Sequence, residues 1–215
     1  MIYYYDDQSE NRVLMSTTNH AGYSRRSTWE QVCDGKKVVL QDNPFVLEAD
    51  DAVSLFSGCT GIENLEYLDI SACEDLSYMF SSYNNTTLNL SWLDVSNVTN
   101  MNSMFTNSSI VRLNLTGWNV SKVRNFDYMF YNNGSLRNIY VNSGTNWQTA
   151  TGGSASSYNM FNYCTSLPNY SSSNWDINMA TSDGGYFSVR EPKWFRCTPY
   201  IKENDVWVEI EDVYK

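Results

Sequence analysis

The chain of 215 residues holds a single histidine and four prolines, and only 18% of its residues are charged. With one histidine, His20, histidine-rich metal sites and His pairs are excluded. A Cys–His nucleophile built on His20 has no local motif behind it, so a solvated loop histidine between Asn19 and Ala21 is expected. No run approaches the roughly 18 apolar residues of a membrane span, so no membrane insertion is expected. The opening MIYYYDDQSE lacks a basic stretch followed by an apolar one, and no secretory signal is visible. GxSxG, HExxH and GxxxxGK[ST] are all missing, and Gly35-Lys36-Lys37 lacks the first glycine and the hydroxyl residue of a phosphate loop. The five cysteines (Cys33, Cys59, Cys73, Cys164, Cys197) are odd in number and contain no CxxC, which excludes a zinc ribbon and a thioredoxin-like motif. Neither a metal nor a cofactor is expected.

Acids outnumber bases by 24 to 14, giving a net charge of −10, and this argues against a nucleic-acid partner. The acidity is local: residues 1–80 carry −9, residues 81–178 carry +1 and residues 179–215 carry −2. Aromatics are abundant, with 16 Tyr, 9 Phe and 7 Trp, so a charged disordered chain is excluded. The mean hydropathy of −0.45 comes largely from Asn, Ser and Thr. The many Asn-x-Ser/Thr sequons follow from that composition and carry no glycosylation claim.

Repetition organises the sequence. An apolar-Phe pair recurs as Leu55-Phe56, Met79-Phe80, Met104-Phe105, Met129-Phe130 and Met160-Phe161, with Tyr186-Phe187 as a weaker sixth. The Phe spacings are 24, 25, 25, 31 and 26. Three central units nearly superimpose: YLDISACEDLSYMF, WLDVSNVTNMNSMF and GWNVSKVRNFDYMF. One unit is too short to bury its apolar side, whereas stacked units share a continuous core. The spacings predict extended segments joined by turns, ending in a helical or 3₁₀ turn at each Met-Phe pair. The expected fold is a β-rich α/β solenoid of about six repeats of roughly 25 residues, with one parallel strand per repeat.

The register places Cys59 and Cys164 three residues after their Phe, and Cys73 where other repeats have Val98 and Val123. All three are expected to be small buried hydrophobes. A Cys59–Cys164 bridge is excluded, because four turns at about 4.8 Å each hold the pair near 20 Å apart.

The stretch LNLTGWNVSKVRNFDYMF resembles the BspA-like leucine-rich repeat family of bacterial surface proteins, and FSGCTGIENLEYLDIS is similar to that family's link between repeats. The resemblance covers roughly Val38 to Phe187 and is strongest over residues 62–141. It implies a right-handed leucine-rich-repeat solenoid and a largely non-catalytic protein, with no catalytic residues to carry over. Such proteins occur on bacterial surfaces, in lipoproteins and in phage or prophage proteins, and some bind host or matrix components.

The flanks are expected to close the ends of the solenoid. Residues 1–45 suggest an N-terminal cap with strands at IYYY and KKVVL, around a polar loop with Asn19, His20, Gly22 and Arg25-Arg26. Residues 46–190 are the solenoid. Residues 191–215 suggest a β-hairpin, in which Tyr200-Ile201-Lys202 and Val206-Trp207-Val208 flank Glu203-Asn204-Asp205. The hairpin is similar to Tyr/Trp modules that end some gut-bacterial and phage surface proteins. It is expected to cap the last repeat, and the alternative is an edge for self-association.

Candidate binding residues come from the strand face that points away from the core. One ladder is Asn64, Asn89, Asn114 and Tyr140, and its neighbour is Glu66, Ser91, Thr116 and Asn142. Neutral amides and hydroxyls beside a ring suit glycan or peptide recognition, and the alternative is that they hydrogen-bond along the sheet. Gly144–Ser157 is expected to protrude as a loop, with Trp147 as a possible ligand platform. A third ladder, Asp69, Asp94, Asn119 and Asp176, could lend oxygens to calcium but fits turn acceptors better. The expected function is non-enzymatic adhesion to a glycan or protein outside the cell, from a bacterial surface or a phage virion. The alternative is a structural virion decoration or assembly subunit that makes homo-oligomer or virion contacts through residues 199–215.

Overall fold

A computed structural model describes residues 1–27, 30–189, 200–203 and 206–209. In chain order its strands are β1 (Tyr3–Asp7), β2 (Arg12–Ser16), β3 (Ser24–Arg25), β4 (Lys37–Leu40), β5 (Phe45–Val46), β6 (Gly61–Glu63) and β7 (Leu68–Asp69). They continue as β8 (Thr87–Asn89), β9 (Arg112–Asn114), β10 (Asn138–Val141), β11 (Phe187–Val189), β12 (Tyr200–Glu203) and β13 (Val206–Glu209). Among the described residues the sole α-helix is α1, Trp147–Ala150. The chain is a mostly β solenoid, nearly without helix.

Strands β8, β9, β10 and β11 form an all-parallel sheet, one strand per turn. Leu88, Leu113, Ile139 and Phe187 stand in register on its inner face and are buried. The N-terminal sheet has the order β3-β1-β2-β4-β6. Its β1 is antiparallel to β2 and β3, whereas β2, β4 and β6 are parallel, so the cap runs into the first turn of the solenoid. The expected strands at IYYY and KKVVL are β1 and β4; β2 lies between them, in what the composition suggested was loop. Arg26, expected in that loop, is buried and donates to the carbonyls of Glu30, Asp51 and Val53. At the far end β12 and β13 pair antiparallel, with Ile201 opposite Val208 and Lys202 opposite Trp207, as the hairpin reading expected. Residues 190–199 and 210–215, with Cys197, lie outside the described residues.

The second wall of the solenoid is made of the Met-Phe turns. These are not 3₁₀ helices. Around Phe80, the N–H groups of Met79, Ser81 and Tyr83 donate three residues back, to Leu76, Tyr78 and Phe80. The alternate N–H groups of Leu76, Tyr78, Phe80 and Ser82 instead donate to the next turn, at Asn100, Asn102, Met104 and Thr106. Left-handed residues make this alternation possible. Tyr78 and Ser82 have φ of 59° and 56°, and the pattern repeats at Ser103 and Asn107, Tyr128 and Asn132, and Asn159 and Tyr163. A helix would bury all these amides within one turn; here half of them bind the turns together.

That backbone ladder fixes the phenylalanines. Phe56, Phe80, Phe105, Phe130 and Phe161 stack in sequence with ring centroids 5.5, 5.7, 5.6 and 5.1 Å apart. Each contact of this kind adds about 0.5–1.5 kcal/mol beyond burial. Five stacked rings mark about five turns, and Tyr186-Phe187, the expected sixth pair, adds no ring to the stack. Phe187 lies in β11 beside Ile139, in the strand register, and meets Phe161 edge-on at 6.3 Å. The Tyr186-Phe187 pair matched the repeat by residue type while occupying the opposite wall.

The cysteines divide in two ways. Cys73 and Cys164 are free and buried, as expected. Cys59 is not free: it forms a disulfide with Cys33, with Cα atoms 5.4 Å apart. Cys33 lies one turn upstream, where Gly35 N–H donates to Gly58 and Thr60 N–H to Lys36. The spacing that separates Cys59 from Cys164 thus permits a bridge to the adjacent turn. The register missed it because no Phe marks that first turn. The same crossing explains Gly58: a Cβ there would meet the Asp34 carboxylate, although other turns place Ser82 or Asn107 at this point.

Phe105→Ala should lower stability by about 3–5 kcal/mol, read as a fall in the thermal midpoint by circular dichroism, because it empties the middle of the ladder. Thiol titration tests the cysteine assignment in a Cys197→Ala background. Burial pushes the Cys73 and Cys164 thiols up to about 12. The native protein should therefore show no reactive thiol at pH 8, two after unfolding, and four after unfolding with reductant. Four without reductant would refute the disulfide.

Candidate functional site

The predicted strand face is assembled largely as expected. Asn89, Asn114 and Tyr140 stand side by side on β8, β9 and β10, and Ser188 on β11 extends the row. The extension was invisible in the sequence because Phe187 was placed in the wrong wall. Asn64 does not join the row. It takes a left-handed φ of 60°, heads the 3₁₀ turn Leu65–Tyr67 that also contains Glu66, and donates through Nδ2 to the Leu40 carbonyl at 2.9 Å. The parallel sheet breaks there, and an open cleft of about 530 Å³ lies between β6 and β8, lined in part by Lys37, Glu63, Asn89 and Trp92. Lys37 and Glu63 form an ion pair at its edge.

The polar groups of the row are mostly engaged with one another. Asn114 is only 9% exposed. Its Nδ2 donates to Asn89 Oδ1 at 2.8 Å, while its Oδ1 accepts from the Thr116 hydroxyl at 2.6 Å and the Thr116 N–H at 3.2 Å. Asn89 Oδ1 also accepts from the Ser91 hydroxyl at 2.9 Å. Each Asn thus turns its strand end and ties it to the neighbouring turn. Asn142 is exposed and Tyr140 half-buried.

Trp147 is not a platform. It is 1% exposed and stacks on Trp118 at 6.4 Å and Phe126 at 5.3 Å, with Phe187 edge-on at 4.8 Å. The segment around it stays largely exposed while Trp147 and Thr151 turn inward: Asn146 caps α1 by accepting from Thr149 N–H, and Trp147 N–H donates to the Ala180 carbonyl. An indole that can fill the end of a core gains more from burial than from display.

The acidic ladder forms turns. Asp69, Asp94, Asn119 and Asp176 each accept through Oδ1 from the N–H two residues on, at 2.9, 2.9, 3.1 and 2.9 Å. The Ser96 N–H holds the Asp94 carboxyl below its usual range. A parallel ladder, unremarked in the sequence, runs through Asp75, Asn100 and Asn125 on the turn wall.

A different surface stands out on that wall. Tyr128, Tyr131, Tyr158 and Tyr163 form one chain of edge-to-face contacts: 5.4 Å between Tyr158 and Tyr128, 5.5 Å between Tyr128 and Tyr131, and 5.5 Å between Tyr131 and Tyr163. Tyr158 is 63% exposed and Tyr163 is 53% exposed. Tyr128 and Tyr163 hold left-handed φ values of 57° and 64°, where neighbouring turns place Ser or Asn. A bulky residue there costs about 1–2 kcal/mol. Sequence reading overlooked the cluster because its members come from two turns and four register positions. The concentration of Tyr in two successive apolar-Phe units was the available signal.

Asn114→Ala should cost about 1–2 kcal/mol, since it strips three hydrogen bonds from a buried link, while Asn142→Ala should stay within about 0.5 kcal/mol. Equal thermal midpoints for the two variants would contradict this division of the face.

Among the described residues no helix is long and apolar enough to cross a membrane. No curated protein and no solved structure matches the chain. A family model described as "Mycoplasma protein of unknown function, DUF285" matches residues 50–175, more than half of the sequence and the whole span of the stacked phenylalanines. The chain belongs to the DUF285 family.

Proposed function

We propose that this chain is a non-enzymatic binding module of the BspA-like leucine-rich-repeat kind. It recognises a glycan or protein outside the cell, from a bacterial surface or a phage virion. The observation that carries this reading is the make-up of the outward surface: a rigid, ring-stacked core presents amides, hydroxyls and tyrosines. From Tyr128 to Trp175 the one charged residue is Arg137. Such a surface orients a ligand by hydrogen bonds and supplies contact area through rings. The Cys33–Cys59 disulfide supports an oxidising compartment, where such bonds persist. The two free thiols of the described residues are buried and pushed up to about 12, so neither is suited to act as a nucleophile.

Labelled protein with the disulfide intact should bind saturably to at least one member of an array carrying glycans, serum proteins and matrix proteins. Binding should change little between 50 and 300 mM salt, because neutral contacts are not screened. An array with no saturable binder would overturn the reading.

A further inference from the structure

We infer that the tyrosine cluster on the turn wall, rather than the strand face, is the binding surface, and that its ligand is a short neutral oligosaccharide. This inference rests on the reading of the chain as a binding module.

The strand face is the poorer recognition surface because most of its groups are occupied. Asn89 Oδ1, Ser91, Asn114 and Thr116 bond to one another, so a ligand would compete with existing links at these positions. The turn wall differs. Tyr158 and Tyr163 expose more than half their surface, and each is braced by an edge-to-face contact with a half-buried ring, Tyr128 or Tyr131. Edge-to-face contacts fix the orientation of each ring and leave ring faces standing. The backbone beneath is fixed as well. Tyr128 N–H donates to the Tyr158 carbonyl at 2.8 Å, and Asn132 N–H to the Asn162 carbonyl at 2.9 Å.

Ring placement argues for use rather than for folding. Tyr128 and Tyr163 stand at left-handed positions that other turns fill with Ser82, Ser103, Asn107, Asn132 and Asn159, and in one turn with Tyr78. The fold requires the left-handed backbone there and not a ring, so the grouping of four rings over two turns is a feature added to the repeat.

Area and charge select the ligand class. With about 200 Å² per ring, the exposed parts of the four tyrosines offer roughly 300 Å². That is the size of a small functional surface patch and well under half of the ~800 Å² per side of a stable protein interface. It matches a few sugar rings. The carboxylate nearest the cluster, Asp127, is engaged through Oδ1 by the Ser156 hydroxyl and the Tyr158 N–H, each at 2.6 Å. At the rim Asn132 and Asn162 donate through Nδ2 to Asn107 and Asn159 Oδ1 at 2.8 and 3.2 Å, and their own Oδ1 atoms are the groups suited to accept from sugar hydroxyls.

The repeats supply a variant that keeps the fold. Tyr128→Ser, Tyr131→Thr, Tyr158→Asn and Tyr163→Asn together rebuild the surface of the preceding turn, where Asn102, Ser103, Thr106 and Asn107 stand. Wild type, this variant and Tyr5→Ala, an exposed ring on the cap, are compared on an array of neutral hexose and N-acetylhexosamine oligosaccharides, sialylated glycans and matrix proteins. Thermal midpoints are measured for all three. The expected result is wild-type binding to neutral oligosaccharides, a loss of tenfold or more in the rebuilt variant at an unchanged midpoint, and full binding by Tyr5→Ala. Neutral-glycan binding that survives the rebuild overturns the tyrosine assignment and leaves the binding-module reading standing. Binding confined to sialylated glycans or proteins refutes the ligand class and likewise leaves the binding-module reading standing. No binding to any member removes both.

Discussion

Everything in this molecule hangs on the hydrogen bonds between successive turns. At each Met-Phe turn, alternate N–H groups leave their own segment and reach the carbonyls of the next one. Left-handed residues on either side of the Met-Phe pair make this geometry possible. A ring that follows at a fixed place in each turn must then stack on its neighbour, and five phenylalanines do so. The parallel sheet on the opposite wall repeats the arrangement with ordinary extended backbone.

The same constraint decides what the surface can do. A fixed register places identical side chains one above another, so amides at equivalent positions become each other's partners. Asn89 and Asn114 on one wall, and Asp75 and Asn100 on the other, spend their hydrogen bonds in this way. Where the sequence departs from its own repeat, the surface becomes distinct. The tyrosines of the turns that carry Phe130 and Phe161 are such a departure, as is the inserted segment around α1. The first exposes rings; the second buries one. The difference is local: Trp147 finds an unfilled end of the core, whereas Tyr158 and Tyr163 sit over turns already filled by Phe130 and Phe161.

Much of the fold was legible because stacking is periodic and a period survives in one dimension. The stacking of the first five phenylalanines followed from spacing, as did the pairing of Asn89 with Asn114, and Tyr140 joined that row after a one-residue shift. The errors lie where the period ends. Tyr186-Phe187 imitates the repeat in residue type but not in place, Asn64 stands where the sheet breaks, and Cys33 lies in a turn that carries no phenylalanine.

The sequence by itself determined that this chain stacks, that its repeated phenylalanines form a core, that its centre is neutral, and that the ladder of Asp69, Asp94, Asn119 and Asp176 belongs to turns. These depend on spacing and residue type, which are properties of the chain. Only the tertiary structure decided which cysteines meet, that the apolar-Phe turns alternate hand instead of forming helices, that Trp147 is core, and that four tyrosines share one surface. Each of these depends on what the next turn places within about 5 Å, and a one-dimensional register does not contain that distance.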